Sequence, residues 1–181
     1  MRDAHLGMQV EDLDRACTLL NQLFGLTFAE PISGWPIHVR LGEGGEVEHS
    51  EGRFTVSRQG PPYVEVTENV EGSRVWQSGG RPMAFHHLGF WVDDVPAASD
   101  ALAAAGYPVE AGGLDDAGRY RYTYHDVDGL RVEMAGASAR PAFERWATTG
   151  VAEGASDEFQ RGRVDDAPGA IGTVTGTEVA R

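Results

Sequence analysis

The feature that most constrains this chain is that it repeats itself once. AHLGMQVEDL at Ala4 to Leu13 returns as HHLGFWVDDV at His86 to Val95, with seven of ten columns identical or closely similar. Helical spacing follows each block: Leu13, Ala16, Cys17, Leu20, Leu23 and Phe24 in the first copy, and Val95, Ala98, Leu102 and Ala105 in the second. Gly25 and Gly106 stand where left-handed helix ends belong, and Pro96 suits a first helical turn. Short strands are then predicted at Pro36 to Leu41, Arg53 to Arg58 and Tyr63 to Thr67, and at Tyr107 to Ala111, Arg119 to His125 and Leu130 to Ala135. Each half therefore reads as one strand, one helix and about three strands.

Both copies end in a predicted hairpin, bent at Gln59 to Pro62 and at Asp126 to Gly129. Superposing the hairpins lays YVEV (Tyr63 to Val66) on RVEM (Arg131 to Met134), so Glu65 and Glu133 become equivalent, as His5 and His87 already are. The His-to-Glu separations are 60 and 46 residues. The excess of 14 fits Gly42 to Gly52, read as an enlarged polar loop. These landmarks divide the chain into module one at 1–70, a Gly-rich linker at 71–84, module two at 85–136, a short helix within 137–149 that packs Phe143 and Trp146, and a flexible acidic tail at 150–181. The predicted class is α+β, with two paired βαβββ modules forming a curved mixed sheet, a cup, and helices outside.

Composition narrows the function classes. With 181 residues, 28 acidic against 15 basic groups, every one of the latter Arg, the net charge of −13 repels phosphate backbones, and no nucleic-acid partner is expected. Cys17, the single cysteine, cannot form an intrachain disulfide or a thiolate cluster and is read as core, so a metal would need His and carboxylate ligands. No apolar run reaches membrane-span length and no signal pattern is visible, which sets a cytoplasmic protein with no membrane partner as the expectation.

Side chains alternate across a strand, so His5, Gly7 and Gln9 share one face, as do His87, Gly89 and Trp91. If two modules pack about a pseudo-twofold axis, His5, Glu65, His87 and Glu133 can meet in the middle. Two imidazoles and two carboxylates suit divalent Zn, Ni, Co, Mn or Fe. His86 has the opposite parity and is read as structural. His38, His49 and His125 have no matched partner and are read as surface or rim residues.

The paired modules, with His on the first strand and Glu on the fourth, resemble the vicinal oxygen chelate superfamily of glyoxalases, methylmalonyl-CoA epimerases, extradiol dioxygenases and antibiotic-resistance proteins. The resemblance runs from Ala4 to Ala135 and rests on HLGMQVEDL, HHLGFWVDDV, YVEV and RVEM. It implies a divalent metal held by His5, Glu65, His87 and Glu133, a small-molecule substrate held through adjacent oxygens, and pairing as a homodimer in many members.

The turn at Asp126 to Gly129 predicts Tyr122 opposite Glu133 and Tyr124 opposite Arg131, which puts Tyr120, Tyr122, Tyr124 and Arg131 on the ligand face. In module one the same exercise pairs Val56 with Glu65 and Arg58 with Tyr63. Trp91, Arg58 and these residues are the expected substrate contacts, suited to an oxygen-rich or anionic molecule. Glu65 and Glu133, flanking the substrate, could take and return a proton next to a carbonyl through a metal-bound enediolate. The reading is a metal-dependent, glyoxalase-like isomerase or epimerase. The alternatives are a non-haem iron extradiol-type dioxygenase or other metal-dependent lyase, and an antibiotic-binding protein. The resemblance weighs against the dioxygenase branch, which usually has no ligand at the Glu65 position, and against methylmalonyl-CoA epimerase, which usually has Gln there.

Overall fold

The computed structural model describes residues 4–152. The tail expectation falls, beyond Ala152, outside the described residues. β1 (Ala4–Val10) leads into α1 (Leu13–Phe24), β2 (Ile32–Leu41), β3 (Val47–Val56) and β4 (Tyr63–Glu68). β5 (Met83–Val92) is followed by α2 (Val95–Ala104), β6 (Val109–Leu114), β7 (Tyr120–Val127) and β8 (Leu130–Gly136). A turn of 3-10 helix (Ala137–Ala139) continues into α3 (Arg140–Thr149).

The matched acids of the repeat start both module helices. Asp12 and Asp94 adopt extended backbone, and their carboxylates accept from the Arg15 and Ala97 N–H groups. Such caps contribute about 1 kcal/mol each. Gly25, at φ 69°, ends α1 as predicted. Leu13, Ala16 and Leu20 then pack onto Val10 and Val66, while the last turn overhangs the sheet and leaves Leu23 and Phe24 exposed.

Eight strands close into one mixed sheet in the order β1-β4-β3-β2-β6-β7-β8-β5. Each module contributes the same internal order, 1-4-3-2 and 5-8-7-6, as a twofold relation requires. Within each, the first and fourth strands run parallel. The modules meet at two antiparallel seams: a long one between β1 and β5, and a short one between Val39–Leu41 of β2 and Ala111–Gly113 of β6.

Two expectations are corrected here. The segment Gly42 to Gly52 is mostly strand: β2 and β3 extend one another as a long hairpin, Ile37 opposite Ser50 and His38 opposite His49, turning on Gly42 and Gly44 at positive φ. Its polar alternation marks a two-sided strand whose outer face meets water. In module two the hairpin turns on only two residues, Asp128 and Gly129, both at positive φ, so Val127 pairs with Leu130. Pairing is thereby offset by two from the expected register: Tyr124 faces Glu133, Tyr122 faces Ala135, and Arg131 faces Asp126.

α3 packs against module one: Ala142, Phe143, Trp146 and Ala147 are buried with Ala29, Ile32 and Val56. The Trp146 indole N–H donates to the Glu30 carbonyl at 3.0 Å, which satisfies the polar edge of a ring 1% exposed. Among the described residues no helix is long and apolar enough to cross a membrane.

Candidate metal centre

The His-x-Gly signature explains itself across the β1/β5 seam. His5 lies opposite Gly89 and Gly7 opposite His87. A Cβ on Gly7 would sit 2.1 Å from the His87 ring, and one on Gly89 2.1 Å from the His5 ring. Each histidine thus lies in space that the other module's glycine leaves open, and both point into the barrel, 2% and 3% exposed. Glu65 enters from β4, which runs beside β1, and Glu133 from β8, which runs beside β5.

The four side chains converge. His5 Nε2 lies 3.2 Å from His87 Nε2, 2.8 Å from Glu133 Oε2 and 3.7 Å from Glu65 Oε2. His87 Nε2 is 3.4 Å from the same Glu133 oxygen, and ligand atoms of His5, Glu65 and His87 lie within 4.8 Å of one another. Ligands at about 2.0–2.2 Å from one ion are separated by roughly 3.0–3.4 Å as neighbours and about 4.2 Å across it. The donor set, its spacing and the two glycine cradles fit a divalent cation.

The halves of this centre are electrostatically unequal. Burial raises the pKa of Glu65 to about 7, and Glu133 adds to the rise while His5 opposes it. Burial acts the same way on Glu133, but His87 and the His5 hydrogen bond outweigh it and bring the pKa to about 2. Burial lowers His87 to about 3, leaving it neutral. For His5, burial is outweighed by the Glu133 hydrogen bond, and its pKa is raised. His87 Nδ1 meets His86 Nδ1 at 2.8 Å, whereas His5 Nδ1 has no hydrogen-bond partner.

Above the centre lies a cavity of about 140 Å³ lined by His5, Glu65 and Glu133, and walled by Trp35, Phe54, Trp76, Trp91, Tyr122, Tyr124 and Phe143. The structure places Trp91, Tyr122 and Tyr124 there, as the face argument expects; the two-residue offset in the hairpin preserves the face. Tyr120 is not in the lining and packs under the Arg40 guanidinium. Arg58 lies past the end of β3, exposed, and donates to the Thr148 carbonyl of α3. Arg131 sits outside the cavity, its guanidinium paired with Glu110 and set against His86. The cationic lining group is instead Arg121, stacked over Trp35 at 5.5 Å. Strict alternation misses Arg121 because the β6–β7 register shifts between Gly113 and Leu114. Phe143 and Trp76 were invisible as lining residues because α3 and the linker carry no repeat signal.

The fold, a pair of βαβββ modules around a shared His and Glu centre, defines a class. Residues 4–124 match the family model of the Glyoxalase/Bleomycin resistance protein/Dioxygenase superfamily, and the chain belongs to it. Among solved structures, a variant of Streptomyces coelicolor methylmalonyl-CoA epimerase in complex with 2-nitronate-propionyl-CoA is similar at 16% identity and a TM-score of 0.51, over 76% of this chain and 97% of that one. Methylmalonyl-CoA epimerase from Mycobacterium tuberculosis is similar at 17% identity and a TM-score of 0.50, over 73% and 85%. At these identities the likeness concerns the fold. No curated protein sequence matches.

Proposed function

We propose that this protein is a metal-dependent isomerase or epimerase that moves a proton next to a carbonyl of a small, oxygen-bearing substrate. The observation that carries the reading is the inequality of two carboxylates in one centre. Glu133 is held ionised between two imidazoles, as a permanent ligand requires. Glu65 stands at the cavity wall, its side chain 21% exposed and 3.7 Å from His5 Nε2, placed to meet a substrate and to accept and return a proton, and in the metal-free protein burial raises its pKa to about 7.

His5, His87 and Glu133, with Glu65 beside them, would hold the cation. A bound divalent ion polarises a carbonyl and lowers the cost of removing the neighbouring proton. The chain's own residues do the rest. Glu65 takes that proton at a carboxylate oxygen and delivers it again. The walls formed by Trp35, Trp91 and Phe143 exclude water, and Arg121 offers positive charge to an anionic substituent.

The test is solvent-deuterium wash-in to α-hydroxy ketones and 2-acyl thioesters with metal-reconstituted protein. Exchange that is lost in E65Q supports the reading; exchange unchanged in E65Q removes Glu65 from the role. A second reading, a non-haem iron dioxygenase, would use His5, His87 and Glu133 as two histidines and one carboxylate, a trio whose ligand atoms lie 2.8 to 3.4 Å apart. Oxygen uptake with a catechol and ferrous iron, without proton exchange, would select it.

A further inference from the structure

We infer that the substrate of this site carries a single flat apolar ring, an aryl group, on the carbon beside its chelating oxygens, and that Trp76 and Phe143 select it. The inference rests on the proton-transfer reading above and names the substrate class of the same site.

The charged groups of the cavity gather at its two ends. His5, Glu65 and Glu133 stand at the metal centre, with Thr67 donating to Glu65 at 3.2 Å. His38 and Arg121 stand where this cavity adjoins a second one, walled by Asp115, Asp116 and Arg119, whose lining they share. Between those ends the walls are mostly rings. Trp91 and Phe143 meet edge to face at 5.4 Å, and their centroids lie 5.4 and 5.7 Å from that of His5. Trp35 meets Phe54 edge to face at 5.8 Å, and Trp76 meets Tyr122 and Tyr124 at 6.4 and 6.2 Å.

A hydroxylated chain laid along such walls would leave oxygens without partners, and that desolvation is costly. A flat apolar ring has no such oxygens, and it adds edge and face contacts at the roughly 4.5–7 Å spacings that aromatic pairs favour. Volume sets the size. An apolar cavity of about 150 Å³ holds one benzene, so the 140 Å³ here gives room for one ring. The ring also serves the chemistry, because an aryl group spreads the negative charge left when the neighbouring proton departs.

Two of these walls lie outside the repeat. Trp76 comes from the segment between β4 and β5, and Phe143 from α3, beyond the residues 4–124 that the family model matches. A centre built from the repeat is thereby narrowed to one kind of substituent by rings that the repeat does not supply.

The experiment compares aceto-, cyclohexanecarbo- and benzohydroxamate, which present the same pair of adjacent oxygens and differ only behind it. Their dissociation constants are read from the visible spectrum of the Co²⁺-loaded full chain and corrected for the affinity of each for free Co²⁺ in water. Benzohydroxamate is expected to bind about 10- to 100-fold more tightly than acetohydroxamate and about 2- to 10-fold more tightly than the cyclohexyl analogue. A methyl or cyclohexyl group that binds as well as phenyl overturns the inference. In W76L and F143L the ratio of phenyl to methyl affinity is expected to fall about 2- to 10-fold. Because it compares two ligands on one protein, a general weakening of the centre cancels. A ratio unchanged in both variants overturns the role given to these two rings, and the wild-type comparison stands whether or not the variants fold. A second arm uses no metal: saturation-transfer NMR on the metal-free chain should show acetophenone bound in preference to cyclohexyl methyl ketone. Equal binding, or none, sinks this inference and leaves the metal-centre reading untouched. A wild-type chain that holds no Co²⁺ sinks the metal-centre reading, and the metal-free arm then decides the aryl preference by itself.

Discussion

The two halves of the centre descend from one sequence pattern and are built differently behind it. In module two, His87 is wedged between Gly7 in front and His86 behind, and its carboxylate partner Glu133 is ionised and 7% exposed. In module one, His5 has no partner on Nδ1, and Glu65 sits at the cavity wall with a raised pKa. The comparison teaches that a twofold repeat can supply four matched ligands while the surroundings assign them unequal work. In the proposed function one half would anchor the ion and the other would react.

The largest expected effect tests that division directly. E65Q should lower proton exchange by about 10²–10⁴-fold, the usual loss when a positioned acid-base group is removed, with a smaller fall in metal affinity than E133Q causes. Parallel kinetics and metal titration of the two variants check this; equal losses of both kinds would erase the distinction. W146A, which removes the main anchor of α3 against module one, should cost about 3–5 kcal/mol in denaturant unfolding. The glycine cradles should also separate the halves. A methyl at Gly89 pushes a His5 ring that no hydrogen bond holds at Nδ1, so G89A should weaken metal binding more than folding. A methyl at Gly7 meets a ring that His86 blocks from behind, so G7A should cost more in thermal stability. Thermal melts and metal titrations of both variants, compared side by side, decide it.

A smaller effect is the pH dependence of the metal-free protein. His86 and His87, lowered by burial to about 4 and about 3, stay neutral in the fold but gain protons below about pH 6.5 when the chain unfolds. The unfolded state then binds more protons, and stability falls as pH falls. Glu65 works the other way: raised to about 7, it binds its proton in the folded state first and adds stability between about pH 7 and 4.5. His5, also raised, acts in the same sense as Glu65 but is protonated in both states well below pH 6.5, so His86 and His87 prevail and the melting temperature in chelator should drop from pH 6.5 to 5. H86N should flatten the slope and E65Q should steepen it. The smallest effect is expected from R58A: its arginine is spent on the Thr148 carbonyl away from the cavity, and stability should change by no more than about 1 kcal/mol with exchange unaltered.

Much of this was legible from two ten-residue segments. The matched histidines and glycines carry the seam, the matched aspartates carry the helix starts, and the spacing to Glu65 and Glu133 carries the convergence. What stayed hidden depends on single-residue insertions and on partners without a repeat. The bulge at His86 overrides strand parity, so a histidine read as structural touches His87. The two-residue turn at Asp128 and Gly129 offsets the tyrosine pairing by two, and Arg131 is held outside the cavity by Glu110, a partner that no repeat marks. One neighbour of His86 Nε2 is a backbone carbonyl of the linker, a group every residue possesses and no side-chain pattern reveals.

The account turns most directly on an equilibrium Co²⁺ titration of the full chain beside the double variant H5A/H87A. One tightly held ion per wild-type chain, absent from the double variant, is the predicted result. An ion retained when both imidazoles are gone, as the exposed His38–His49 pair with its Nδ1 atoms 2.6 Å apart could provide, would contradict it.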